Sequence, residues 1–139
     1  PLIWVAPGIT TGGERCEQPV DFLSIYPTLC ELVNVPTPNH AKGASMATLL
    51  KDPHCDWDGV ALTTHGYRNR ALRDRQFRYI RYSDGSEELY DHVKDPYEYT
   101  NLAQDPVMAA TKQRLAAFLP SANTPPTTQT RKKHRKNSS

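Results

Sequence analysis

A chain of 139 residues, 37% of them hydrophobic, has room for one modest core. It contains no apolar run approaching the ~20 residues that a membrane-spanning helix requires. The net charge of +2 is unevenly placed: Arg131, Lys132, Lys133, Arg135 and Lys136 lie in the last nine positions, leaving 12 basic against 15 acidic residues, so the body carries −3 and a DNA-binding reading of the whole chain loses its support.

Leu2 to Ala6 is continuously apolar and includes Ile3, Trp4 and Val5, the composition of a strand covered on both faces. With neither Met nor a signal-peptide pattern ahead of it, this run reads as a strand whose partners lie outside the chain. Pro7-Gly8 ends it, and Thr10 to Gln18 is polar loop. Asp21 is placed to cap a helix over 22–33, with Ser24 as the alternative cap. Leu29, Leu32 and Val33 fall at i, i+3 and i+4, and Phe22, Ile25 and Tyr26 extend that face. Pro27 fits only in the first turns, where a backbone N–H is dispensable. Pro36 and Pro38 stop the helix. Ser45 then caps a short helical piece from Met46 to Leu50, closed by Asp52-Pro53.

The second half is β-rich. Val60 to Thr64 and Ala71 to Arg73 read as short strands. Phe77 to Tyr82 and Glu88 to Asp91, joined across Asp84-Gly85, specify a hairpin. Asp95-Pro96 opens a turn, and 106–119 is expected to be helical, with Val107, Ala110, Leu115 and Phe118 at helical spacing. From Pro120 the chain is Pro, Thr, Ser, Asn and Gln and then basic; it cannot bury enough surface to offset its ordering entropy and is expected to be disordered. The boundaries are therefore 1–56, 57–119 and 120–139.

The chemistry is sparse. Cys16, Cys30 and Cys55 form no CxxC pair, and no phosphate loop, HExxH or Gly-x-Ser-x-Gly elbow is present. His65, in Thr63-Thr64-His65-Gly66 with Arg68 and Arg70 close behind, is the best candidate. Two arginines and a histidine at a strand end hold an oxyanion such as a sulfate or a sugar carboxylate. The plainer reading is a backbone-bonded His with solvated arginines. Asp91, Asp95 and Glu98 have a calcium-like spacing without the alternating ligands and central Gly of a calcium loop, and Asp95 reads better as a turn residue. Tyr79, Tyr82, Tyr90, Tyr97 and Tyr99 offer stacking surfaces, but strand alternation commits about half to packing. The basic run 131–136 suits contact with a polyanion by counterion release.

Several motifs then converge in order: Pro1-Leu2-Ile3-Trp4 with Pro7-Gly8; Val20-Asp21 leading to Tyr26-Pro27-Thr28-Leu29; Gly43-x-Ser45; Arg73 with Phe77-Arg78-Tyr79-Ile80; and Glu88-Leu89-Tyr90-Asp91-x3-Asp95-Pro96-x-Glu98-x2-Asn101-Leu102-Ala103. Together they resemble the C-terminal part of a type I sulfatase of the alkaline phosphatase superfamily, nearest its iduronate-2-sulfatase-like and choline-sulfatase-like branch, over residues 1 to 119. The resemblance implies an α/β fragment: the last strand and helix of a large α/β sulfatase domain over 1–56, then a small antiparallel sheet with a packed C-terminal helix over 57–119. It implies sulfate ester hydrolysis by a formylglycine nucleophile with calcium, on a sulfated sugar or small sulfate ester. None of the three cysteines stands in the Cys-x-Pro/Ala-x-Arg context that such a nucleophile needs, so no catalytic or metal residue is carried over and the chain alone is expected to be inactive. His65, Arg68 and Arg70 inherit a substrate-contact role. Two other readings stay open: a polyanion-binding or structural module using the tail, and a fragment of a related phosphodiesterase or phosphonate hydrolase. Family members are often exported, periplasmic or lysosomal; the sequence itself leaves localisation open.

Overall fold

The computed structural model describes residues 1–121; the basic run 131–136 and most of the expected tail lie outside the described residues. The β-rich half builds a four-stranded antiparallel sheet in the order β1-β2-β3-β4, with β1 Ala61–His65, β2 Asn69–Arg73, β3 Phe77–Arg81 and β4 Glu87–Asp91. Alternation sends Leu72, Tyr79 and Leu89 to one face, and the register sets them side by side as Leu72↔Tyr79↔Leu89. All three are fully buried beneath Leu115 of a helix over Ala109–Ala116, with Ala103 completing the cluster. Leu62, Phe77, Met108 and Leu119 pack around it. This is the small antiparallel sheet with a packed helix that the resemblance implies.

The N-terminal half holds two helices, α1 (Ile25–Leu32) and α2 (Ala47–Lys51); the Ala109–Ala116 helix is α3. A 3₁₀ turn over Phe22–Ser24 precedes α1, and Asp21 caps that turn, accepting from Leu23 N–H at 3.0 Å. Pro27 sits in the first turn of α1, where its missing N–H costs nothing. The Thr28 hydroxyl, wholly buried, donates to Ser24 C=O at 2.6 Å and accepts from Met46 N–H at 2.8 Å, locking α1 to the start of α2. Ser45 Oγ accepts from Ala47 N–H at 3.2 Å, but α2 begins one residue later than expected and Met46, with no side-chain cap bond, stands at its N-cap. The chain passes so close there that a Cβ at Gly43 would stand 2.2 Å from the Leu23 carbonyl oxygen. Asp21 joins the halves: its second carboxylate oxygen accepts from Leu62 N–H at 3.1 Å.

Leu2 to Ala6 pairs with no strand among the described residues, and Ile3 and Val5 are each 83% exposed, as a strand whose partners lie outside the chain would be. The segment ends in a turn in which Ala6 C=O accepts from Thr10 N–H at 2.9 Å. Two expectations about which helix face is buried need correcting. On α1 the expected apolar face points outward. Phe22, Tyr26, Leu29 and Val33 are exposed, while Ser24, Pro27, Thr28 and Cys30 are buried, because the Thr28 contact fixes which side meets α2. On the last helix Val107 and Ala110 are exposed and Phe118 half-exposed. Asp105 caps a 3₁₀ turn over Pro106–Met108, and that turn sets the phase so that Met108 and Leu115 face the sheet.

Candidate functional site

The stretch from Leu89 to Ala103, the most specific part of the resemblance, builds architecture. Asp91, buried, accepts from Val93 N–H at 3.0 Å and from Gln76 Nε2 at 3.0 Å, closing the turn after β4. Asp95 accepts from Thr100 N–H at 2.8 Å, the turn role that its place before Pro96 suggested. Glu98 takes an ion pair from Arg78 at 2.8 Å and a hydrogen bond from His92 at 2.5 Å. Asn101 Oδ1 accepts from both Leu89 N–H and Ala103 N–H, and Leu102 N–H donates to Leu89 C=O at 2.8 Å. Residues 101–103 thus run along the outer edge of β4 and satisfy it.

These bonds also test the residues against calcium. The carboxylates of Asp91, Asp95 and Glu98 are each committed to donors of the protein itself and do not converge on a common point. Among the described residues no group of three or more His, Cys, Asp or Glu side chains is arranged to hold a metal ion. The residues present do not fit a calcium centre. Cys16, Cys30 and Cys55 are free thiols, exposed, buried and half-buried in turn.

The sequence-predicted contact residues surround the β1–β2 turn. His65 ends β1 and Asn69 begins β2, and the three residues between them include two in the left-handed region, Gly66 at φ 61° and Arg68 at φ 66°. Glycine adopts that conformation freely; an arginine does so against a steric cost, so the Arg68 backbone is held by its surroundings. Its guanidinium lies 5.2 Å from the Tyr67 ring centroid, a cation–π contact that restrains an exposed side chain. Asn69 Oδ1 accepts from Ser83 N–H at 2.9 Å, which fastens this turn to the neighbouring β3–β4 turn. His65 and Arg68 are therefore brought to one solvent-facing turn. Arg70 is not: it pairs in register with Thr64, on the face of the sheet that carries α3, and its Nη1 donates to Pro120 C=O at 2.9 Å. Tyr67 is the member that sequence reasoning passed over. An aromatic beside an arginine in a glycine-started turn was the signal for it.

The profile of the family described as N-sulphoglucosamine sulphohydrolase, C-terminal, matches residues 1–124, and the chain belongs to that family. A sulfatase of Formosa agariphila is 35% identical over 123 residues, covering 88% of this chain and 24% of that protein. A Δ4,5-hexuronate-2-O-sulfatase of Bacteroides thetaiotaomicron is 34% identical over 126 residues, covering 76% of this chain and 24% of the relative. The solved structure of a phosphonate monoester hydrolase of Agrobacterium radiobacter superposes with a TM-score of 0.53 at 26% identity, over 68% of this chain and 23% of that one. The chain spans about a quarter of the length of the curated relatives it matches.

Proposed function

We propose that this chain serves as the substrate-facing C-terminal portion of a sulfate ester hydrolase, its nucleophile and calcium supplied by a catalytic portion that carries the formylglycine. The family match over residues 1–124 is the observation that carries this reading. The division of labour follows from the chemistry present: three cysteines outside a formylglycine context, and carboxylates spent on the fold. Residues 1–56 would dock on the catalytic portion through the outward face of α1, and 57–119 would present the β1–β2 turn to substrate. At that turn Arg68 would pair with an oxyanion of a sulfated sugar, with His65 beside it and Arg70 bracing β2.

The test is sulfate release from a sulfated uronic acid disaccharide by the chain joined to, or mixed with, a formylglycine-bearing catalytic portion. Arg68→Ala is expected to raise KM about tenfold with kcat little changed, the loss of one charge-assisted contact made equally in ground and transition states. An unchanged KM in both Arg68→Ala and His65→Ala would remove the turn from the substrate site. The likeness to a phosphonate monoester hydrolase favours a second reading, hydrolysis of phosphonate or phosphodiester bonds on the same architecture. Running the assay with a phosphonate ester beside the sulfate ester separates the two.

A further inference from the structure

At the end of the sheet away from His65, the segment before β1, the β2–β3 turn and the end of α3 enclose a cleft of about 290 Å³. Its walls are aromatic: Trp57, Phe77 and Phe118. Its rim is charged: Asp74, Arg75 and Arg114. The walls are built rather than incidental. A Cβ at Gly59 would stand 2.6 Å from the Trp57 ring, so the indole lies directly on the backbone there, and glycine is what permits it. Trp57 Nε1–H is shielded from solvent and has no acceptor among the described residues. Asp74 is fully engaged, taking Gln76 N–H at 2.8 Å and Phe77 N–H at 2.5 Å on one oxygen and Arg114 Nη2 at 2.6 Å on the other. That grip holds the half-exposed Arg114 guanidinium at the mouth of the cleft.

We infer that this cleft binds one ring of a sulfated oligosaccharide; the ligand class rests on the sulfatase reading above. Aromatic faces match the C–H face of a sugar ring, and a concave, mostly apolar site with a few oriented polar groups is how proteins hold small polar ligands. The guanidinium groups of Arg75 and Arg114 take the sulfate, since planar forks match tetrahedral oxyanions. Asp58, also on the lining, accepts from ring hydroxyls. Arg75 is shared with an adjoining hollow of about 470 Å³ that Arg15 and His54 help to line, which gives the neighbouring sugar of the same chain a place. Glu17 lies 3.6 Å from Arg75, with both side chains largely exposed, a pair that a sulfate displaces at little cost.

The experiment is an NMR titration of the full chain with a chondroitin sulfate disaccharide and with the same disaccharide lacking sulfate, following the indole N–H of Trp57, assigned by Trp57→Phe. The expected result is a saturable shift of Trp57 with Trp4 unmoved, and weaker binding of the unsulfated sugar. Phe118→Ala weakens binding about tenfold and Arg75→Gln up to about fivefold. Both residues are exposed enough for the variants to keep the parent fold, which circular dichroism verifies. An unmoved Trp57 indole, equal binding of the two sugars, or parent-like binding by both folded variants overturns the inference. Sulfate release by the chain combined with a formylglycine-bearing catalytic portion separates this from the function proposed above: release with an unmoved Trp57 overturns the cleft while the sulfatase reading stands.

Discussion

Glu87 receives the Tyr79 hydroxyl, the Arg81 guanidinium at 2.8 Å and the Lys112 ammonium at 3.0 Å, and so ties β3, β4 and α3 together at one carboxylate. The Tyr79 hydroxyl bond, followed by the Arg81 and Lys112 contacts, holds this carboxyl at about 2, well below its ordinary 4.5. A depressed carboxyl adds stability above its unfolded value and loses it as the proton binds. The contribution is therefore full above about pH 4.5 and disappears as the pH falls toward 2. Tyr79 shifts the other way: burial, and then its bond to Glu87, push the phenol up to about 12, so the folded state loses stability as pH rises from 10 through 12. Thermal melts between pH 2 and 7 should show an acid limb that Glu87→Gln flattens, at a cost near neutrality of about 2 kcal/mol. A variant with the parent's acid limb would take Glu87 out of the account. Leu72, fully buried in the same layer, should cost ~2–5 kcal/mol when cut to alanine, as read by denaturant midpoint.

Among the elements, the interlock of α1 and α2 rests on one hydroxyl. Thr28→Val keeps the shape but strips Met46 N–H of its acceptor and should destabilise by ~1–3 kcal/mol, with Met46 and Ala47 amides losing hydrogen-exchange protection first. Protection unchanged there would mean that another group holds the two helices together. The sheet was legible because its signals are local: the aromatic and β-branched run from Phe77, the Asp84-Gly85 turn, and the alternation that buries Leu72, Tyr79 and Leu89. The Asp21 cap and the position of Pro27 were legible for the same reason. What α1 packs against was not. Its apolar periodicity marks a face made for burial, whereas the side that meets α2 is chosen by Thr28 and by Gly43 running tight against Leu23, contacts long-range in sequence. Leu2 to Ala6 shows the same limit, since a strand needs a neighbour that its own residues do not encode. At the candidate site the turn could be located from His65-Gly66, but the separation of Arg70 from His65 follows from a register that only the folded sheet reveals.

At the scale of the molecule, the exposed apolar residues concentrate in the N-terminal half. Phe22, Tyr26, Leu29 and Val33 recur at i, i+4, i+7 and i+11 along one side of the 3₁₀ turn, α1 and its C-cap, with Val35 just beyond and Ile3 and Val5 also bare. Such a stripe is a docking surface in the account given above, and an association hazard for the chain alone. The double variant Phe22→Lys/Tyr26→Lys should lower dye binding and self-association while leaving the melting temperature within about 2 °C, because neither residue supports the core of the sheet. A melt shifted well beyond that would place the stripe within the folding unit. The most direct test of the whole account is sulfate release from a sulfated disaccharide, measured for the 139-residue chain alone and for the chain combined with a formylglycine-bearing catalytic portion. The chain alone is expected to release no sulfate above background, and the combination to turn over in a way that the Phe22→Lys/Tyr26→Lys double variant suppresses. Turnover by the chain alone would contradict this account.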